Sequence, residues 1–234
     1  MAGHDGSATV LEDIVRIGII GAGNIGGNLT RRLSALGHHV AIANSRGPET
    51  LGPLVSETGA TAVAVTEAAR DAEVVIVTIP QGKVPELPTG ILAGAAPGAV
   101  VVDTGNYYPQ RDGRIGPIEE GTTESRWVAG QLGVDVVKVF NGIYAHELLD
   151  TGRPVGAPDR RARPVAGDDA TAKQTVMALL DELGFDGVDA GGLDESWRQQ
   201  PGTPVYGARA DADEIRRLLG QASPDRTPEW RATS

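Results

Sequence analysis

The chain has 234 residues, of which 40% are hydrophobic and 22% charged, and its formal net charge is −10. This length gives one large domain or one and a half ordinary ones, and the acidic balance argues against nucleic acid or an anionic membrane as the main partner. The lack of cysteine excludes disulfides and thiolate chemistry, and the four histidines have no zinc-like spacing, so no metal is expected.

Membrane-spanning runs and a signal peptide are not recognisable, so a cytoplasmic protein without membrane association is expected. Residues 1–14 are small and polar and predict a flexible leader. The predicted strands are Val15–Ile20, His39–Ala43, Thr61–Val65, Glu73–Ile79, Ala99–Asp103 and Val134–Phe140. Helical patterns fall at 24–36, 49–58, 66–70, 83–93 and 122–132. This alternation is typical of an α/β protein whose parallel sheet is covered on both faces.

The first predicted strand ends in a G-x-G-x-x-G sequence formed by Gly21, Gly23 and Gly26. The first glycine permits a tight turn, the second lets phosphates approach the backbone, and the third lets the helix pack close to the strand. The helix that begins at Asn24, with Ile25 in its first turn, offers free N–H groups and a positive dipole end to an anion. The sequence therefore predicts a dinucleotide site in a Rossmann-type doubly wound sheet.

The second predicted strand is followed by Asn44, Ser45 and Arg46, where an NAD site usually carries a carboxylate. A guanidinium can bind a 2′-phosphate through two parallel hydrogen bonds, and the amide and hydroxyl can donate to the same group. We therefore predict NADP(H) as the cofactor. The alternative is a solvent-exposed arginine in a loop.

Ligands of open parallel sheets bind beyond the carboxyl ends of the strands. The segment after the fifth strand supplies Thr104, Gly105 and Asn106 as further candidate cofactor contacts. Four of the nine aromatic residues also lie at strand ends, namely Tyr107, Tyr108, Phe140 and Tyr144. They either stack on a flat partner beside the nicotinamide or pack the rim of the core.

The boundaries predict a cofactor-binding Rossmann domain at 15–145, a small C-terminal α/β extension at 146–220 and a tail or partner-binding arm at 221–234. The extension contains a second β-α-β pattern, Arg163–Gly167, a helix capped by Asp168 and Asp169 that runs to Leu183, and Phe185–Ala190, followed by a helix at Asp211–Leu219. Its basic loop comprises Arg153, Arg160, Arg161 and Arg163. This loop either holds a polyanionic substrate tail or is simply solvated.

No arrangement resembles a nucleophile with its base, and hydride transfer needs none. A carbonyl or imine acceptor would also require a proton donor. The candidates for that donor are Tyr107, Tyr108, Tyr144, Lys83 and His146.

Over about residues 15–192 the chain resembles the F420-dependent NADP oxidoreductases. The matching segments are Ile19–Gly26, Leu36–His38, Asn44–Arg46, Val77–Pro80, Val137–Ala145, Pro164–Asp169 and Asp189–Gly191. The resemblance implies direct hydride transfer between NADP(H) and the deazaflavin coenzyme F420, in a homodimer. It places Thr78, Ile79, Pro80 and Lys83 beside the nicotinamide, and Asn141, Ile143 and Tyr144 beside the deazaflavin.

The chain departs from that family where archaeal members carry His-x-Ile-Pro, because positions 141–144 read Asn-Gly-Ile-Tyr. This departure concerns the second substrate and leaves the NADP side unchanged. Two alternatives therefore stay open. One is an NADPH-dependent reductase of a flavin, an imine or a carbonyl, and the other is an NADPH sensor without turnover.

Overall fold

The computed structural model describes residues 14–233, so the leader predicted at 1–14 lies outside the described residues except for Ile14. The strands are β1 (Arg16–Ile20), β2 (His39–Ala43), β3 (Thr61–Ala62), β4 (Val74–Val77), β5 (Val100–Asp103), β6 (Val137–Lys138), β7 (Ala162–Val165) and β8 (Asp186–Asp189). The α-helices are α1 (Asn24–Ala35), α2 (Gly52–Thr58), α3 (Pro109–Asp112), α4 (Gly116–Glu119), α5 (Glu124–Leu132), α6 (Ala145–Asp150), α7 (Ala170–Glu182) and α8 (Ala212–Gly220). Short 3-10 helices cover Pro48–Leu51, Val65–Glu67, Gln81–Glu86, Leu193–Gln199 and Pro228–Trp230.

Six strands form one parallel sheet in the order β3-β2-β1-β4-β5-β6. The order reverses beside β1, and the chain leaves β1 and β4 in opposite directions across the sheet. A crevice forms at such a switch point, outside the carboxyl ends of the strands. The predicted α/β fold with a doubly wound parallel sheet is confirmed.

The sheet is covered on both faces, and its central strand β4 is apolar and buried at every position. In β4, Val74 and Ile76 pack with α1 and α7 in one core cluster, whereas Val75 and Val77 pack on the opposite face with Val128 of α5. A continuous apolar strand is what a central parallel strand requires. Across residues 14–233 no helix is both long and apolar enough to cross a membrane.

Several predicted elements are shorter or different in the structure. The strand predicted at Thr61–Val65 keeps only Thr61–Ala62, and the helix predicted at 66–70 is wrong, because a 3-10 helix at Val65–Glu67 and turns form there. The helix predicted at 83–93 is wrong, because only a 3-10 helix at Gln81–Glu86 forms and turns follow it. Pro85 and Pro88 lack the N–H groups that an α-helix would need there. The last strand of the sheet keeps only Val137–Lys138, since Phe140 turns the chain with a φ of 62°.

The C-terminal extension builds a small second sheet in which β7 and β8 pair in parallel around α7. An antiparallel bridge between Lys138 and Ala166 joins it to β6 of the main sheet. Asp169 caps α7 by accepting from the N–H groups of Thr171 (2.7 Å) and Ala172 (3.0 Å), as predicted. The other predicted cap, Asp168, instead accepts hydrogen bonds from the Leu193 N–H and from Arg126.

Residues 221–233, expected as a tail or a partner-binding arm, pack against the body of the protein. The Arg226 guanidinium donates to the carboxylate of Glu124 at 2.7 Å. The Trp230 ring lies 5.7 Å from the ring of Tyr108, centroid to centroid. The segment therefore packs on the surface of the folded domain.

Candidate functional site

The turn between β1 and α1 requires two of its glycines for reasons internal to the fold. Gly21 has a φ of 116°, and a Cβ there would lie 2.3 Å from the carbonyl oxygen of Thr78. A Cβ on Gly26 would lie 1.9 Å from the carbonyl oxygen of Gly21. Both positions therefore exclude other residues, and α1 begins close against the end of the sheet.

At the middle glycine, Gly23, the fold itself does not require the absence of a side chain. Gly23 has extended backbone angles that any residue adopts, and a Cβ there would meet no atom of residues 14–233 within 4 Å. It is also the N-cap of α1, and within the described chain no side chain caps that end and no acidic residue occupies the first turn. Exposed Asn24 and half-buried Ile25 follow. The open space and the free N–H groups suit an anion.

The three cofactor-binding residues predicted after β2 have different roles in that loop. Asn44 shapes the turn, because its Oδ1 accepts from the Arg46 N–H and its Nδ2 donates to Thr50 Oγ1, both at 2.9 Å. Ser45 and Arg46 are exposed. Among the partners available in residues 14–233, the Arg46 guanidinium makes no hydrogen bond or ion pair. It is therefore a free cation at the end of β2.

These segments enclose one cleft of about 690 Å³ beyond the carboxyl ends of β1, β2 and β4. Its lining includes Gly21, Gly23, Asn44, Ser45, Arg46, Thr78, Ile79, Pro80 and Lys83. The predicted residues from three separate segments thus meet at one place. Lys83 lies at the rim, where its ammonium pairs with the exposed carboxylate of Glu86 at 2.7 Å.

The three residues predicted after β5 are outside the lining of this cleft. Buried Thr104 donates from Oγ1 to the Val77 carbonyl oxygen at 3.3 Å, and Gly105 N–H donates to Asp103 at 2.8 Å. The Asn106 side-chain amide donates to the carbonyl oxygen of Asn141 at 2.8 Å. Their polar groups join the loop after β5 to the end of β4 and to the loop after β6.

The three residues predicted on the acceptor side differ in exposure. Asn141 is buried and its amide donates to the Gln199 carbonyl oxygen at 2.6 Å and to Asn106 Oδ1 at 3.1 Å. Ile143 is buried in the core, whereas Tyr144 is 52% exposed. Tyr144 is therefore the member of this set whose side chain is available to a ligand.

The predicted aromatic cluster is divided in the same way. Tyr107 is fully buried, and its hydroxyl donates to the Gly113 carbonyl oxygen or to Glu119, at 2.9 and 2.8 Å. Phe140 is also buried. These two rings pack the core, so the interpretation of all four aromatics as a stacking surface is wrong. Tyr108 remains half-buried, and its hydroxyl lies 2.5 Å from that of Tyr206.

The basic loop is not a free cationic surface. Arg160 is buried and pairs with Asp181 at 2.5 Å and Asp186 at 2.7 Å. Arg163 is also buried, and burial lowers the pKa of its guanidinium to about 10. Arg153 and Arg161 pair with Asp159 and Glu147. The hypothesis of a polyanion-binding loop is therefore corrected, because acidic side chains already pair with Arg153, Arg160 and Arg161, and Arg163 is buried.

Sequence reasoning missed a buried charge cluster beneath the acceptor side. Lys138 and Glu124 are both fully buried, with Nζ and Oε2 3.5 Å apart. The ammonium also donates to the Gly105 carbonyl oxygen at 3.0 Å and lies 4.0 Å from Asp103. Arg226 binds the other oxygen of Glu124. The one available signal was a lysine in the apolar run that forms β6.

The sequence model of the family described as NADP oxidoreductase coenzyme F420-dependent matches residues 16–107. A 60-residue segment is 50% identical to Escherichia coli YjhV, covering 25% of this chain and 44% of that protein, so the match spans less than half of this curated relative.

Two solved structures are similar over most of the chain. Protein SMa0349 of Sinorhizobium meliloti, named only as hypothetical, is 31% identical with a TM-score of 0.70, covering 83% of this chain and 94% of that one. A protein of Arthrobacter sp. FB24, described as a candidate F420-dependent NADP reductase, is 26% identical with a TM-score of 0.65, covering 76% and 86%. The glycine turn and the cleft lie within residues 16–107, and these similarities relate that part of the chain to the family of coenzyme F420-dependent NADP oxidoreductases.

Proposed function

We propose that this protein binds NADP(H) in the cleft beside β1 and transfers hydride between it and the deazaflavin coenzyme F420. The observation that carries the cofactor part is the pairing of an uncapped helix N-terminus at Gly23 with the free guanidinium of Arg46. Both features favour anions, and they lie in one cleft of a protein whose net charge is −10. Cationic groups left without acidic partners in such a protein are well suited to phosphates.

The residues present fit a phosphorylated dinucleotide. Gly23 leaves open the space that a diphosphate would fill, and the first N–H groups of α1 face it. Ser45 and Arg46 would bind the 2′-phosphate, while the local hydrogen bonds of Asn44 hold the turn that presents them. Thr78, Ile79 and Pro80 would contact the nicotinamide half of the cofactor.

When bound, NADPH supplies a hydride, and the protein has to hold the donor and acceptor rings in contact and exclude water. We propose that the loops after β5 and β6 do this on the acceptor side. Their backbones are fixed to each other by the hydrogen bonds between Asn106 and Asn141. Exposed Tyr144 then offers a ring against which a flat acceptor can lie.

Coenzyme F420 as the acceptor is supported by the description of the matching family and by that of the Arthrobacter relative. The test is to mix the protein with NADPH and oxidised F420 and to follow both chromophores. We expect both absorbances to fall together, in a one-to-one ratio. Tight NADPH binding without loss of F420 would contradict this acceptor.

A panel of flavin, imine and carbonyl acceptors in the same assay distinguishes the alternatives. Turnover of one of these without F420 would indicate a reductase with a different acceptor. Tight NADPH binding without any turnover would indicate a sensor. A homodimer is a further proposal that depends on the family resemblance, and light scattering on the purified protein tests it.

A further inference from the structure

Two tyrosines that are distant in sequence form a hydrogen-bonded pair beyond the main sheet. Tyr108 belongs to the loop after β5 and Tyr206 to the segment between the last 3-10 turn of the extension and α8. Their hydroxyl oxygens are 2.5 Å apart although 98 positions separate them in the chain. We call them the phenol pair.

The phenol pair lies beside the acceptor-side loop. A Cβ on Gly142, in the loop after β6, would lie 3.8 Å from the Cα of Tyr206 and from its ring. The hydroxyl of Tyr144 would lie 3.3 Å from a Cβ on Gly207, the next residue. The pair and the exposed ring of Tyr144 therefore border the same loop, at the sheet edge where ligands of this fold bind.

The phenol pair has two O–H groups, and the hydrogen bond between the two hydroxyls needs only one of them. Each phenol carries one O–H donor, and in residues 14–233 each hydroxyl contacts only the other as a hydrogen-bond partner. One O–H therefore has no acceptor in the described part of the chain. Tyr107 provides the contrast, because Gly113 and Glu119 already receive its hydroxyl.

Neighbouring groups keep the Tyr206 hydroxyl protonated and hold the Tyr108 ring in position. Burial, followed by the hydrogen bond with Tyr108, raises the pKa of Tyr206 well above the ordinary value for a phenol. Its hydroxyl is therefore protonated at neutral pH. The Trp230 ring and the Arg111 guanidinium, 4.8 Å from the ring centre, pack on Tyr108.

We propose that the phenol pair donates a hydrogen bond to the acceptor, and that it selects acceptors whose carbonyl oxygen is conjugated with the carbon that receives hydride. Hydride transfer breaks the C4–H bond of the dihydronicotinamide and gives both electrons to the acceptor carbon. The nicotinamide becomes cationic, the acceptor gains one negative charge, and solvent later supplies the proton. A donor at the carbonyl oxygen stabilises that charge while it develops.

This inference rests on the proposed function, and a deazaflavin ring carries such carbonyl oxygens. The test compares Tyr108→Phe, Tyr206→Phe and the double variant with the wild-type protein. Each single variant keeps one hydroxyl, so we expect a loss in kcat/KM of about tenfold or less, and a loss of about 10- to 100-fold in the double variant.

A second readout does not depend on turnover. Fluorescence titration of oxidised F420 without NADPH should show weaker binding by the double variant, while the NADPH dissociation constant stays within about twofold of the wild-type value. Tyr107→Phe is the matched control, since it removes the same atom from a ring packed in the core. We expect it to lower thermal stability and leave kcat/KM unchanged.

The wild-type protein tests the proposed function, and the variants test the role of the phenol pair. If the wild-type protein neither binds nor reduces F420, the proposed function fails, and the comparison of variants then uses the carbonyl or flavin acceptor that the wild-type protein reduces. Absence of any acceptor would overturn both proposals. A folded double variant with wild-type kcat/KM and wild-type acceptor binding would overturn the role of the phenol pair alone.

Discussion

Arg46 differs from most arginines of this chain because its guanidinium has no acidic partner among residues 14–233. Three of the four basic-loop arginines show the usual situation, in which carboxylates of the chain pair with them, as Asp181 and Asp186 do with Arg160. An excess of acidic residues makes such pairing easy. A cation that stays unpaired at the mouth of a cleft is therefore available to a ligand phosphate.

The Arg46→Ala variant should bind NADPH about 10- to 100-fold more weakly, because charge-assisted hydrogen bonds contribute roughly 1.5–3 kcal/mol. NADH lacks the 2′-phosphate, so its dissociation constant should change less than about threefold. Isothermal titration calorimetry with both nucleotides measures this. Arg114→Ala removes an exposed charge outside the cleft lining and serves as the control. Equal weakening of both nucleotides by Arg46→Ala would refute its role in selecting NADPH.

At the scale of elements, residues 221–233 are the clearest case of a segment whose role depends on its contacts. Their composition is polar and includes prolines, which is typical of a tail. In the structure the Arg226 guanidinium lies 2.7 Å from fully buried Glu124 and 2.9 Å from Gln200 Oε1. A buried carboxylate requires such partners, because removing one of them leaves an uncompensated charge.

Arg226→Gln should therefore destabilise the protein by about 3 kcal/mol or more, because Glu124 would keep only the ammonium of Lys138. Chemical denaturation of both proteins measures the difference in the free energy of unfolding. The control is Arg216→Gln, which breaks an exposed pair with Asp213 on α8 and should change stability by less than about 0.5 kcal/mol. Similar small effects of both substitutions would show that the C-terminal segment does not stabilise the fold.

At the scale of the whole molecule, Asp168 joins the extension to the main sheet domain. Its carboxylate accepts from the Leu193 N–H and from Arg126, which follows the N-terminus of α5, both at 2.8 Å. The hydrogen bond from Leu193, reinforced by Arg126, lowers the pKa of Asp168. A carboxyl with a depressed pKa in the folded state stabilises the protein above its unfolded pKa, and this contribution is lost as the pH falls through the folded pKa.

Asp168→Asn should consequently lower Tm at neutral pH by roughly 2–4 °C, which corresponds to about 1 kcal/mol in a chain of this size. The difference from the wild-type protein should shrink below about pH 4 as the wild-type carboxyl becomes protonated. Thermal unfolding from pH 3 to pH 7 provides the measurement. Asp213→Asn, at an exposed position of α8, is the control. A difference in Tm that stays constant down to pH 3 would contradict this assignment.

The sequence by itself determined the parallel sheet, the glycine turn and most of the residues that line the cleft. These features are local, since an apolar run forms a buried strand and the tight approach at Gly21 and Gly26 excludes a side chain within a few residues of β1. The strand-end rule then placed Arg46 at the cofactor site, and the family resemblance placed Thr78 there. The helix predicted at 83–93 failed for an equally local reason, the two prolines.

Only the tertiary structure decided which polar groups are free and which are satisfied. Arg160 and Arg46 are equally basic in the sequence, yet the first meets two aspartates of α7 and β8 and the second meets none in residues 14–233. The phenol pair joins positions 98 apart, and Glu124 binds Arg226 across the protein. Partners of this kind come from segments with no local relation, so their pairing depends on the packing of the whole chain.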